Sequence, residues 1–339
     1  MTKTKKLSKL LLLIATMVIL LAACGGNTKN SNSSQPNAEG AREVQPVNSG
    51  ETNQGNPSKS GDEETKKFKD WTGHEVEVPV SPKRVIFHGE TTGDLLALGV
   101  KPIGILKSNV DGTVYDNQLA NAEDLGFPFN VEKAMTLDAD LIIFGNRDDK
   151  QYEQISKVAP TVTFDTFASL EDRMRTLGEL FGKQKEAEQW LENYDRQVKA
   201  MWQQIREAGI GQDETASVFT MYPGNRLFAM ARTGLSQVLY DEGGFKPTPA
   251  IQQALDQDQG FVEISMEKLT EFAGDRIFIL TPVAEEAVKE TGELLESSVW
   301  KSLPAVKGGK VYTFGILEAY SDALSREWIT QNLPKVLNP

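Results

Sequence analysis

Seven short runs rich in β-branched and aromatic residues, at positions 84–87, 103–106, 141–144, 161–164, 217–220, 276–280 and 310–314, punctuate the chain. Each is bounded by Gly, Pro, Asn or Asp, and segments of helical pattern such as residues 93–98 lie between them. Several runs are apolar at every position rather than at every second one, the pattern of strands buried on both faces. Strands of this kind alternating with helices predict an α/β chain whose largely parallel sheets are covered on both sides.

The middle of the chain breaks the alternation. From Ser169 to about Arg206 no strand signal occurs, and apolar residues recur at helical spacing: Leu170, Met174, Leu177 and Phe181, then Trp190, Tyr194, Val198, Met201 or Trp202, and Ile205. Gly182 between the two stripes marks a break. Aromatic stripes at this spacing are core, and a long helical stretch between two α/β regions reads as a stiff connector that permits only a small opening motion.

Residues 131–145 align without gaps on residues 266–280, with Glu132 on Glu267, Lys133 on Lys268, Asp140 on Asp275 and Ile142 on Ile277. Each segment is a short helix feeding a buried strand. A second echo, residues 98–102 against 243–247, precedes each copy in the same order, which makes duplicated α/β lobes the expectation. The predicted architecture is therefore two Rossmann-like α/β lobes, residues 67–167 and 211–339, joined by a helical connector over residues 168–210, with a cleft between the lobes.

The amino terminus has a different character. Lys3, Lys5, Lys6 and Lys9 precede an apolar stretch over residues 10–21, too short to span a bilayer comfortably and therefore read as a secretory signal over residues 1–23. Leu21-Ala22-Ala23-Cys24 resembles a bacterial lipobox, which implies that Cys24, the one cysteine of the sequence, becomes the lipidated first residue of the mature chain. Residues 24–66 are polar, with Val44 and Val47 the only larger aliphatic side chains before Lys66, and are expected to form a disordered tether. Its root-mean-square span would be roughly 35 Å.

Composition excludes several functions. The formal net charge is −12, and removing the leader takes away four lysines and no acid, lowering it to −16. A nucleic-acid partner is disfavoured by that balance. A single cysteine excludes a disulfide framework within the chain. There is no nucleophile elbow, no phosphate-cradling glycine-rich loop before a helix and no cysteine or multi-histidine site, so no catalytic residues are assigned and an enzyme is not expected.

Val78-Pro79, residues 82–85, the Asp-Leu-Leu-Ala-Leu-Gly-Val-Lys-Pro run at 94–102, residues 131–133, 140–142 and 264–267, and the Trp-Lys-Ser-Leu-Pro-Ala-Val-Lys run at 300–307 resemble, in that order, the iron-siderophore substrate-binding lipoproteins of ABC importers. The resemblance covers essentially residues 68–337. Residues 297–300 and 320–325 make it most similar to the ferric-hydroxamate receptors of Gram-positive bacteria. The family implies two lobes joined by one long helix, ligand in the cleft, docking on a membrane permease, and attachment through Cys24 to the extracytoplasmic face of the cell membrane. It also implies that Glu132 and Glu267 are exposed acids, one on top of each lobe, that meet permease arginines. The bland alternative for both is a first-turn glutamate that merely favours its helix dipole. The receptor is expected to be a monomer.

Ligand groups in parallel α/β lobes project from the carboxyl ends of strands. In the first lobe the candidates are His88, Glu90, Thr91, Lys107, Asn109, Asn146 and Arg147. In the second they are Tyr222, Arg226, Arg232, Thr281 and Tyr320. Arginine suits carboxylate or metal-bound oxygens, and tyrosine offers an apolar face with one hydroxyl. His74 and His88 are the only histidines, too few for a bare-metal receptor, so iron is expected to arrive inside an organic chelator and the chain to need no intrinsic cofactor or metal site. A ferric hydroxamate is favoured. Catecholate or carboxylate siderophores, haem and cobalamin are the alternatives for a receptor of this fold.

Overall fold

The computed structural model describes residues 64–211 and 213–338. The expected leader, Cys24 and nearly all of the expected tether lie outside the described residues. The tether boundary at Lys66 is corrected, because Thr65–Lys69 (β1) already pairs antiparallel with Glu75–Pro79 (β2). Burial of Phe68 and Val78 fixes this hairpin to the body, and the backbone ladder carries Thr65 and Lys66 with it.

The next segment runs through Val85–His88 (β3), Thr92–Ala97 (α1), Gly104–Ile105 (β4), Glu123–Asp124 (β5), Val131–Met135 (α2), Leu141–Phe144 (β6), Asp149–Ile155 (α3) and Thr161–Thr163 (β7). Among the described residues these strands form one parallel sheet in the order β5-β4-β3-β6-β7. Both faces are buried, as the unbroken apolar runs require. Ile86, Ile142 and Phe144 pack with Leu125, Ala134 and Ile155 on the outer side. Val85, Phe87, Leu141 and Ile143 face the helices that follow.

Leu170–Phe181 (α4) and Gln184–Glu207 (α5) carry the chain to the second sheet. Ser169 caps α4 by accepting from the Asp172 amide, and Gly182 ends it at φ +66°, a left-handed conformation that a Cβ would strain. At about 1.5 Å per residue α5 is roughly 36 Å long. Leu170, Met174, Leu177, Phe181, Tyr194, Val198, Met201, Trp202 and Ile205 are buried, as their spacing predicts, while Trp190 of the same stripe is only partly buried.

The remainder is Thr215–Tyr222 (β8), Arg226–Met230 (β9), Leu235–Leu239 (α6), Lys246–Pro247 (β10), Pro249–Asp256 (α7), Phe261–Ile264 (β11), Leu269–Phe272 (α8), Arg276–Thr281 (β12), Glu285–Glu296 (α9), Ser298–Ser302 (α10), Pro304–Lys307 (α11), Val311–Gly315 (β13) and Ala323–Leu337 (α12). Its sheet runs β11-β9-β8-β12-β13, with β10 beside the start of β8. β8, β10, β12 and β13 are parallel, whereas β9 is antiparallel to β8. The expectation of a run of parallel strands is thus corrected at one edge, where the β8–β9 hairpin and β11 were not recognised.

The two echoed segments do the same work. Asp140, just before β6, accepts from the amides of Lys83 and Arg84 at 2.7 and 2.9 Å at the foot of β3. Asp275, just before β12, accepts from the amide and hydroxyl of Thr215, both at 2.8 Å, at the foot of β8. Around each, four parallel strands repeat one order, β4-β3-β6-β7 and β10-β8-β12-β13. A single apolar core then runs from Phe87 and Ile143 through Leu177, Val198 and Met201 to Val218, Phe278 and Ile329 of α12.

Candidate functional site, a cleft between strand ends

The carboxyl ends of β3, β7, β8, β12 and β13 converge on a cavity of about 320 Å³. Glu90, Thr166 and Phe167 line it from the first sheet, and Tyr222, Arg232, Phe261 and Tyr320 from the second. Phe167, Tyr222 and Phe261 are 62%, 44% and 49% exposed, so large apolar faces stand at the rim in solvent. Tyr222 and Phe261 both pack edge-on against Phe228, which holds their rings in place.

Charge in the cleft is sparse and mostly matched. Arg173 reaches the cavity from α4, yet its side chain is only 1% exposed, and Nε donates to Asp94 at 2.7 Å. Its two terminal nitrogens donate to the carbonyls of Ala168 and Ser321, each at 2.7 Å. Arg232 holds Asp258 at 2.7 Å. Glu90 has a single hydrogen-bond partner among the described residues, the Thr166 hydroxyl at 3.4 Å. Glu90 is exposed on one side, and partial desolvation of its carboxyl against the cleft wall raises it above the ordinary range, with Thr166 opposing. The Tyr222 and Tyr320 phenols, which line the same cavity as Glu90, are raised by burial and then by the Glu90 charge.

Beneath Arg173 lies a buried acid pair. Asp94 on α1 accepts from Arg173 with one oxygen and from the Ala323 amide at 2.7 Å with the other. Asp322 caps α12, accepting from the Ser325 amide at 3.0 Å and its hydroxyl at 2.8 Å, and Tyr115 donates to it at 3.4 Å. Burial, reinforced by the neighbouring Asp94 charge, pushes the Asp322 carboxyl up to about 6. The network ties α1 and α4, next to the first sheet, to the last helix of the chain.

Of the residues expected in the cleft, Glu90, Tyr222, Arg232 and Tyr320 line the cavity. Arg226 opens β9 directly opposite Tyr222 and lines an adjoining apolar recess, where its guanidinium pairs with Glu263 at 2.7 Å and lies 5.0 Å from the Phe228 centroid. Thr91, Asn109, Asn146 and Thr281 do not line the cavity, and the placements of His88, Lys107 and Arg147 are corrected as well. His88 shares the pleat face of Ile86 and points into the outer core, its Nε2–H donating to the Gly126 carbonyl at 2.8 Å and its ring edge-on to Phe129. Burial lowers its pKa, which keeps it neutral. Lys107 is exposed and pairs with Asp111 on its own turn. Arg147 is exposed over the Trp71 ring, 4.9 Å from its centroid, beside the β1–β2 hairpin.

Phe167, Phe261 and Arg173 were not anticipated. Phe167 was available to the strand-end rule, four residues past β7. Arg173 carried a plainer signal, since it sits three residues after Leu170 and four before Leu177, on the apolar stripe of α4. Among the described residues no cluster of His, Cys, Asp or Glu could hold a metal ion, and no helix is long and apolar enough to cross a membrane.

Comparison with known proteins agrees with this geometry. The iron(3+)-hydroxamate-binding protein FhuD of Bacillus subtilis is 30% identical over 336 residues, 96% of each chain. Among solved structures, Staphylococcus aureus SirA complexed with staphyloferrin B superposes with a TM-score of 0.71 at 28% identity, covering 81% of this chain and 99% of that one. FhuD2 of Staphylococcus aureus with bound ferrioxamine B gives 0.66 at 25% identity, covering 75% and 98%. A family of binding proteins rather than catalysts is what the reading against an enzyme requires. With residues 85–315 matching its pattern, the chain belongs to the periplasmic binding protein family.

Proposed function

We propose that this protein captures a ferric siderophore, most suitably a hydroxamate, outside the cytoplasm and delivers it to the permease of an ABC importer. The observation that carries the reading is the cleft itself, a cavity of about 320 Å³ walled by aromatic and aliphatic side chains with few charges. That size and composition suit a preformed small-molecule site. A ferric hydroxamate is near neutral and bulky, so it gains from ring faces and a few hydrogen bonds. Tyr222, Tyr320 and Arg232 are the groups assigned to chelator oxygens, with Arg226 at the margin. The similarity to FhuD and to ferrioxamine-bound FhuD2 supports the same class of ligand.

Glu132 and Glu267 are both exposed, each in the turn after a strand that ends on the cleft side of its sheet. They are assigned to permease docking, and Cys24 to lipid attachment at the cell membrane. Calorimetric titration of the purified soluble chain tests the central reading. Ferrioxamine B or another ferric trihydroxamate should bind at one equivalent without being consumed, while a ferric tris-catecholate should bind far more weakly. Saturable binding of the catecholate but of no hydroxamate would replace this ligand class with the other.

A further inference from the structure

We infer that Glu90 sets the charge preference of the cleft, selecting ferric hydroxamates that carry a free ammonium group over neutral analogues of the same shape. The inference rests on the ligand class proposed above and adds a determinant within it. Arg173 and Arg232 are the basic side chains of the cavity wall, and each already faces its own carboxylate, Asp94 and Asp258. Arg173 is further committed to two carbonyls and cannot turn toward a ligand without leaving them bare. Beside the cavity, Arg226 is matched by Glu263. Glu90 is the lining charge left without an ionic partner among the described residues.

Its surroundings make that charge matter. Glu90 is exposed at the edge of the cavity, and its one hydrogen bond among the described residues is a long one from Thr166. An ammonium brought in by the ligand would give it a charge-assisted hydrogen bond in place of water. Phe167, Tyr222 and Phe261, exposed rings that line the same cavity, are available to that cation. A polyanionic chelate meets the opposite situation, since the cavity presents it the unmatched Glu90 and, to attract it, only Arg232, which it must share with Asp258.

Ferrioxamine B, with its terminal ammonium, and its N-acetylated form differ in that charge and little else. Wild-type protein should bind the free amine about tenfold more tightly than the acetylated complex. Glu90→Gln should bring the two affinities within about twofold of each other by weakening only the amine complex, since a 1.4 kcal/mol loss is one decade. Unchanged affinity of the variant for the acetylated ligand shows that its cleft is intact. Equal affinities in the wild type, or a preference that survives in Glu90→Gln, would overturn the inference and leave the proposed function standing. Failure of the wild type to bind either complex or any other ferric trihydroxamate would overturn the proposed function, and this inference with it.

Discussion

Asp322 shows how much one buried carboxyl can bias the molecule. With its folded value pushed up to about 6, against an ordinary value near 3.9, the native state keeps a proton that the unfolded chain has released across that interval. Stability from this group is therefore complete below the ordinary value and is lost as pH rises through 6, the reverse of an ion-paired acid. The loss is at most about 3 kcal/mol. Asparagine can still cap α12, so Asp322→Asn removes the titration while keeping the cap. Thermal midpoints of both proteins between pH 4 and 7.5 should show the wild type gaining on the variant as pH falls. A gap between them that does not move with pH would mean that Asp322 is not the titrating group.

At the scale of elements, α1 and the start of α12 meet closely beside the buried acid pair. Gly93 lies in the first turn of α1, where a Cβ would fall 1.9 Å from Oδ1 and 2.6 Å from Cγ of Asp322. Helix propensity alone favours alanine there by about 1 kcal/mol. The clash decides the sign, because Asp322 is pinned by Ser325 and cannot swing aside. Gly93→Ala should lower stability by about 1–3 kcal/mol, the usual cost of overpacking. Urea denaturation would reveal it as a lower midpoint at unchanged slope. A midpoint at or above that of the wild type would show that α1 and α12 can separate at little cost.

For the whole molecule, one apolar core continuous through α4, α5 and α12 joins the two sheets. On the function proposed above, discrimination belongs to groups around the cavity and delivery to the outer surface. Glu132→Lys combined with Glu267→Lys should abolish iron uptake by cells, since close charge pairs at interfaces couple by about 1.5–7 kcal/mol. Calorimetry on the purified double variant should give wild-type ligand affinity, because neither acid lines the cavity. Normal uptake would remove the docking role, and lost ligand binding would place these acids on another surface.

The sequence by itself determined the α/β class, the helical connector broken at Gly182 and the internal duplication. Those depend on periodicity and on local backbone preference, which a short stretch of chain carries entire. It also marked Tyr222, Arg232 and Tyr320, since a residue beyond a strand end points into the space where sheets face each other. Only the tertiary structure decided which way His88 turns, because pleat parity at the last residue of β3 sends it with Ile86 into the outer core. The same holds for Arg147, drawn to Trp71 of a hairpin 76 positions earlier in the chain, whereas Lys107 is engaged by Asp111 only four residues on, a local pairing. Tertiary packing likewise joined Arg173 to Asp94 and Ser321, 79 and 148 residues away, and by matching those charges left Glu90 as the unpaired acid of the cleft. Charge pairing across such separations is a property of the packed molecule, which no local pattern in the sequence encodes.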